Sequence, residues 1–555
     1  MRLRTRLLAM ALPLFPAIAL PGIVRADEAA ALTPDQAASL SQAMSYITNG
    51  FAVARNGEPT PYRVVPEGDH YHLTLPLPHT LGKSGVTLQA TDVTASIRPL
   101  SGSRWTFDDV RGFVPMTLTT PPVKDGKTVR VAMNTKEQSG HFVVDPSLAT
   151  TSTFDATSSG LVLVMDTPEA SATLHADTAA SHAAWSPVGN GRIDEARTVT
   201  LQNVSYDITG KQPAKITVRA VHFDGHVRGF APDNMAKLTA MVLDLLNTMP
   251  PMPALENASG SGQQDQEPAA PPPAADNAPG TPTPPAAAAE KPAQAADVTP
   301  PGQDQPDAEK ANATADGKNQ LTAKQRQSLH IVLDAVRGLI SGFDETVSLD
   351  DLGFAADGHM VHLHKVAFSE AAAAPDGKAD LRMRLALEGL TSPDIPPNIA
   401  HDYLPHRLVI APHISGVPAQ ALFDFLSHAI DEDKPKPEEM QAMGAAMLSK
   451  GPVAIGLDEL AVDLGPATLA ATGSLQVAGT KPSDLSGVAD IEVKGLNALI
   501  KRSGSDPLLK KAVPVLIFLK GIGDEDDHGK VTWKIAYADN KVSVNGTDMS
   551  QLIPH

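Results

Sequence analysis

Residues 447–499 read MLSKGPVAIGLDELAVDLGPATLAATGSLQVAGTKPSDLSGVADIEVKGLNAL. Val453, Ile455 and Leu457 fall on alternate positions, as do Leu469, Ala471, Leu475 and Val477. Ala489, Ile491 and Val493 alternate with Asp490 and Glu492. Successive side chains of a strand point to opposite faces, so this period predicts strands with one apolar and one wet face. An antiparallel sheet covered on one side has that pattern. Gly465-Pro466 and Gly479-Thr480-Lys481-Pro482 supply turns. The stretch therefore predicts a helix end, a meander and a second helix. It holds no catalytic motif.

Outward from there, the chain reads as more strands with helices to cover their apolar face. Thr33-Pro34-Asp35-Gln36 forms a capping box that opens a helix, and Asn49-Gly50 is expected to stop it. From about 62 to 229 the pattern is strands: Tyr71, Leu73 and Leu75; Val93, Ala95 and Ile97; Val129, Val131 and Met133; Val204, Tyr206 and Ile208; Ile216, Val218 and Ala220. Leu161 to Met165 is a continuous apolar run, expected to be covered on both faces. A helix is expected over about 234–247.

Residues 250–319 hold 15 of the 48 prolines and no Phe, Trp or Tyr. Such a segment cannot bury enough apolar surface to fold and reads as a disordered linker. Its ends would average roughly 50 Å apart as a coil, or reach about 200 Å as extended polyproline. It either joins two domains or leaves and rejoins one continuous sheet. The expected organisation is a leader at 1–26, a β-rich half at 27–249, the linker, and an α+β half at 320–555.

After the linker, Thr322-Ala323-Lys324-Gln325 repeats the capping-box signal, and LTAKQRQSL (321–329) matches LTPDQAASL (32–40) at five of nine positions, a hint of two similarly built halves. Strands are expected at 360–368 and 379–387, then helices at 417–430 and 437–449. The latter presents Met440, Met443 and Met447, read as core packing or an adaptable binding face. An apolar helix at 507–520 is expected to kink at Pro514. A hairpin turning at Asp539-Asn540 closes the chain.

Composition excludes several classes. The 555 residues carry a net charge of −18, which argues against a nucleic-acid partner and disfavours electrostatic docking on anionic lipid. There is no cysteine, so no disulfide, thiolate metal site or cysteine nucleophile exists. Hydrophobic residues make up 42 % but aromatics only 4 %, so small aliphatics must build much of the core.

Arg2, Arg4 and Arg6 precede an apolar run from Leu7 to Leu20, and Val24-Arg25-Ala26 then Asp27 fits a cleavage site between Ala26 and Asp27. Pro13, Pro16 and Pro21 interrupt the run, which favours a signal peptide over a retained anchor. No later stretch is apolar enough to span a bilayer. The expectation is a periplasmic or secreted protein.

From Gly451 to Leu552 the order of features resembles the C-terminal part of the YdgA-like and AsmA-like periplasmic proteins. The matching features are Leu448-Ser449-Lys450-Gly451-Pro452, the strand region Ile455 to Leu464, Gly473-Ser474-Leu475, Gly495-Leu496-Asn497-Ala498-Leu499, and Val542 to Gly546. The resemblance covers about a fifth of the chain. It implies a long antiparallel sheet that can curve into an apolar groove, working in a Gram-negative envelope. Better-understood members of that group are linked to outer-membrane homeostasis and lipid movement. The cleaved leader and the proline-rich insert depart from the pattern.

Candidate chemistry is sparse. His362 and His364 share a strand face with His359 near its edge, and His401, His406 and His413 follow, so imidazoles could gather a metal; a solvated strand face is the plainer reading. Asp524-Glu525-Asp526-Asp527-His528-Gly529 lacks EF-hand spacing and reads as a solvated acidic loop. Gly82-Lys83-Ser84 lacks the earlier glycine of a phosphate loop, that position being Leu77. No hydrolase, zinc-protease or dinucleotide motif is present. The sequence thus predicts an α+β, β-rich fold: an extended antiparallel sheet with helices packed on one face. The function expected is non-enzymatic binding of a lipid or an envelope protein on an apolar sheet surface, with no cofactor. A scaffold of two modules spaced by the linker and a hydrolase are the alternatives.

Overall fold

The computed structural model describes residues 32–54, 61–232 and 323–550, apart from breaks at 78, 82–85, 123–127, 149, 168, 211–212, 338, 340, 375–376, 396–403, 432–436 and 506–509. The leader with its Ala26/Asp27 junction, the helix expected at 234–247, the segment 250–319, Gly82-Lys83-Ser84 and His401 lie outside the described residues.

Among the described residues, 24 strands form one antiparallel sheet. Its trunk is a meander of long strands: β10 (Thr150–Asp166), β11 (Ala170–Gly189), β12 (Arg192–Gly210), β13 (Ala214–Phe230), β14 (Gly342–Ala356), β15 (His359–Ala373), β16 (Lys378–Thr391), β17 (Arg407–Pro418), β18 (Val453–Asp463), β19 (Thr468–Val477) and β20 (Leu485–Lys494). Each pairs with the next. At one end β20 pairs with β22 (Val531–Ala538), which pairs with β23 (Lys541–Val544). At the other end the sheet forks. One edge of β10 serves both β9 (Glu137–Asp145) and β8 (Arg130–Asn134), which lead to separate arms. The β9 arm continues through β6 (Trp105–Arg111), β5 (Val93–Pro99), β2 (His70–Leu75) and β1 (Arg63–Glu67).

The sequence left open whether its two halves share a sheet. They do: β13 pairs with β14 from Ala214↔Ala356 to Arg228↔Gly342. Ala231 N also donates to Leu339 O at 2.8 Å, so both ends of the intervening chain are held side by side.

Directly opposed residues in antiparallel strands share a face. Ser181, Val199, Phe223, Val347, Phe368, Leu385, Ile410, Leu460, Ala471, Ile491 and Trp533 are successive opposed partners from β11 to β22. Two residues along each strand lies a second such row: Ala179, Leu201, Val221, Leu349, Val366, Leu387, Leu408, Val462, Leu469, Val493 and Val531. The alternation seen in single strands is thus one continuous apolar face.

Helices cover that face at its ends. Helix α1 (Pro34–Ala54) begins with the expected capping box: Thr33 N donates to Gln36 Oε1 at 3.0 Å and Gln36 N to Thr33 Oγ1 at 3.2 Å. Such a cap is worth about 1 kcal/mol. Its Leu40, Ala43 and Met44 pack with Leu73, Leu75, Ile97, Trp105 and Phe107. Trp105 Nε1 donates to Ser39 Oγ at 2.9 Å, satisfying the one polar atom of this buried indole. Ile97, Phe107, Phe142, Phe154 and Ala183 are again successive partners, so α1 sits on the same face as the trunk rows. At the far end, α5 (Leu496–Ser505) and α6 (Val513–Ile522) join a cluster with Val493, Val531 and Trp533. Between them in the chain come α2 (Ala323–Arg337), α3 (Ala419–Asp431) and α4 (Pro437–Leu448). The guanidinium of Arg337 on α2 lies 5.1 Å from the Phe423 ring on α3, and His330 Nε2 is 2.6 Å from Asp431 Oδ1. So α2 packs on α3 whereas α1 packs on the sheet, and the two capping-box helices are not equivalently placed.

Several expectations need correction. Strand makes up 61 % and helix 21 % of the described structure, so the β-rich expectation holds and the α+β label fits only loosely. Helix α1 runs past Asn49-Gly50 to Ala54. Pro514 lies in the first turn of α6, where a missing N–H costs nothing, so it starts the helix and does not kink it. The run Leu161–Met165 is half-buried at every position, not covered on both faces. Strands β14 and β17 were not foreseen.

Candidate site on the apolar sheet face

The long strands share one irregularity. In six successive ladders the pairing is interrupted along one transverse line, by one residue on each strand in four of them, as between Asp350↔Lys365 and Leu352↔Leu363, and by two in the β11–β12 and β13–β14 ladders. Alternate strands hold a left-handed residue there: Gly160 on β10 (φ 57°), Asn203 on β12 (φ 50°), Asp351 on β14 (φ 51°) and Gly389 on β16 (φ 65°). Gly, Asn and Asp are the residues that tolerate this conformation. The skip explains a change in sequence phase. Apolar residues become three apart across it, as in Leu201/Val204, Val218/Val221 and Leu349/Leu352. Both members of each pair pack in one cluster, so the apolar face continues across the line. The polar residues between them bond to each other. Asn203 Nδ2 donates to Asp177 Oδ2 at 2.9 Å. Asp351 accepts from Arg219 Nε and lies 2.9 Å from His364 Nδ1. These bonds, Arg219 first, hold the Asp351 carboxyl below its usual range.

In the middle of the trunk the apolar face is open. Leu381, Ile414 and Ile455 are opposed neighbours on β16, β17 and β18, exposed by 39 %, 39 % and 47 %. Met383 and Ile410 beside them are each 39 % exposed. Among the described residues, no helical side chain joins the cluster around Val204 and Val218. Among the described residues, the buried clusters that join helix to sheet lie at its two ends.

A charged group interrupts this surface. Arg197, Gly225, Glu345 and Glu370 are opposed partners one row along from Phe223. Arg197 Nη2 donates to Glu345 Oε1 at 2.7 Å, and its guanidinium lies 4.8 Å from the Phe223 ring centre. Burial raises the Glu370 carboxyl pKa, and the neighbouring Glu345 raises it further. Glu195, two residues before Arg197, is also raised, chiefly by burial and against the pull of Arg197. Glu345 and Glu195 thus interact with the Arg197 guanidinium, and Glu370 lies beside Glu345. Sequence reading missed this group, although Glu195 and Arg197 occupy the apolar phase of Val199 and Leu201.

Among the described residues, the histidines singled out for metal are not gathered into one group. His364 pairs with Asp351, His359 Nδ1 lies 3.3 Å from Asp394 Oδ2, and His362 opposes Gly353 and Thr391. His413 Nδ1 is 2.8 Å from Asp458 Oδ1 on β18. Among the described residues, no group of three or more His, Asp or Glu is arranged to hold a metal ion. In the acidic stretch, Asp526 Oδ1 accepts from the N–H groups of His528 and Lys530, closing a turn. Among the described residues no helix is long and apolar enough to cross a membrane. No family model, curated protein or solved structure matches the chain.

Proposed function

We propose that the protein binds an acyl lipid or similar amphiphile along the open apolar face of its trunk, as a non-enzymatic component of the bacterial envelope. One observation carries this reading: an aliphatic row from Ala179 to Val531 runs unbroken across ten ladders, yet among the described residues the buried clusters that join helix to sheet lie at the ends of the face. Large contiguous apolar surface on a folded protein marks a binding site. An extended row of Leu, Ile and Phe offers dispersion contact to a chain of methylenes without selecting a head group. The leader supports export, and the family resemblance supports the envelope. The Arg197–Glu345 group with Glu370 would meet the polar end of such a ligand.

Two modules held apart by a spacer fit less well. With β13 and β14 paired, segment 231–341 begins and ends at one place whatever its length.

The test is mass spectrometry of small molecules retained by the mature protein after gentle purification from its native compartment, with delipidated protein as control. Stoichiometric acyl lipid is expected, and Ile414→Asp with Ile455→Asp should lower it about tenfold or more, since each places a charge against the chain. A folded protein that carries no lipid and takes up none would overturn the reading.

A further inference from the structure

The surface of α5 and α6 differs in character from the rest of the molecule. Lys520 Nζ, near the end of α6, donates to Asn497 Oδ1 at 2.7 Å near the start of α5. The two helices therefore run antiparallel as a hairpin. Glu525 sits at that same end, 3.0 Å from Lys520 Nζ. The opposite end carries Lys501 and Arg502 from α5 and Lys510 and Lys511 from the 3-10 turn before α6. In a chain of net charge −18, this end of the hairpin is locally basic.

Helix α6 reads VPVLIFLKGI. One side holds it to the sheet: Leu516 and Ile522 pack with Trp533, whose Nε1 donates to Leu519 O at 2.9 Å. The other side faces solvent. Val515, Ile517 and Phe518 are exposed by 57 %, 56 % and 53 %. A short helix fastened by one flank, with aliphatic and phenyl groups on the other and cations at its end, has the chemistry of an interfacial element. Its apolar flank enters the acyl boundary while Lys and Arg meet head groups. The acidic residues Asp524 to Asp527 lie at the other end, so repulsion there favours one orientation.

We infer that the α5–α6 hairpin docks the protein onto a membrane surface carrying anionic head groups, through Val515, Ile517 and Phe518 with the basic end of the hairpin. The net charge of the whole chain disfavours such docking, but the local charge favours it. This surface is separate from the open trunk face.

Flotation of the full chain with vesicles tests it. Vesicles of phosphatidylcholine with phosphatidylglycerol should carry the protein; phosphatidylcholine alone should carry little. Added salt should weaken the binding, because the attraction is screened within about 10 Å at 0.1 M. Phe518→Asp, and Lys510→Glu with Lys511→Glu, should each reduce flotation about tenfold or more while thermal unfolding stays unchanged, since all three positions are exposed. Undiminished flotation of these variants would overturn the inference. So would a Phe518→Asp variant that turns a dimer into a monomer without affecting flotation, because α6 would then serve a second copy. An Ile414→Asp, Ile455→Asp variant that loses retained lipid but still floats would uphold the docking surface and remove only the sheet-face reading.

Discussion

Arg197 on β12 reaches Glu345 on β14 across the whole width of β13, with Nη2 and Oε1 2.7 Å apart. The residue between them is Gly225, the opposed partner of both. A Cβ at Gly225 would lie 3.0 Å from the Phe223 ring and 3.4 Å from Arg197 Nε. The absent side chain therefore leaves the path clear. Removing the guanidinium leaves Glu345 and Glu195 without the cation they face. Arg197→Met should destabilise the protein by about 1–3 kcal/mol, the range for a partly buried charge losing its partner. Urea unfolding monitored by circular dichroism measures this.

The same cluster should give the protein a titratable instability. Glu195 and Glu370 have pKa values raised above the ordinary 4.5. A raised carboxyl binds its proton more tightly when folded. Its contribution is fully present below the unfolded pKa and is lost as pH rises through the folded one. Glu195→Gln and Glu370→Gln should therefore raise the melting temperature at neutral pH. The advantage should vanish as pH falls below about 4.5, where wild-type side chains are protonated too. Equal melting shifts at pH 4 and pH 7 would contradict this assignment.

Asp351 should act with the opposite sign. Arg219 and His364 hold its pKa below 3.8. Its stabilising contribution is present above that value and is lost as pH falls through the depressed folded pKa. Asp351→Asn should accordingly flatten the acid limb of a melting-temperature profile below about pH 4.

The transverse line should be sensitive to Cβ atoms. At Gly389 the backbone has φ 65°, and a Cβ would come within 2.7 Å of His364 Cβ. Gly389→Ala should cost about 1–3 kcal/mol, combining left-handed strain with a close contact. Gly68, at φ 64° with nothing within 4 Å, supplies the comparison. Its alanine variant should cost less, and thermal melts of the two separate contact from strain.

Deleting 250–319 should leave the sheet intact. The β13–β14 ladder is made by residues outside the deletion, and shortening a loop by more than half changes its closure entropy by about 1 kcal/mol or less. Far-ultraviolet circular dichroism and the melting temperature should match those of the full chain.

The parts of this fold legible in sequence were those with undisturbed alternation. The strands around Leu469 and Ile491 and the closing hairpin read correctly because each keeps one phase and ends at a turn residue. In that hairpin Asp539 and Asn540 take φ 51° and 59°, as a type I′ turn requires. Strand β14 was hidden because its phase breaks at Asp350-Asp351, where only the ladder reveals why. Strand β17 carries Pro412, which cannot donate to a ladder. The pairing with β18 slips between Ala411 and Pro412, which absorbs that loss. The site was harder still. Arg197 and Glu345 are 148 residues apart, so no local pattern joins them. That β13 pairs with β14 is a matter of topology, on which the composition of the intervening segment is silent.

The left-handed positions also determine how a protein of this kind could change in size. They recur on β10, β12, β14 and β16 and skip the strands between. The repeating module is therefore a hairpin, one kinked strand with one regular strand, and not a single strand. Gain or loss of one strand would reverse the chain direction of everything after it and bring two kinked or two regular strands together. Gain or loss of a whole hairpin would do neither. Length variation among relatives of this chain should accordingly come in steps of two strands, with each added pair bringing its own Gly, Asn or Asp.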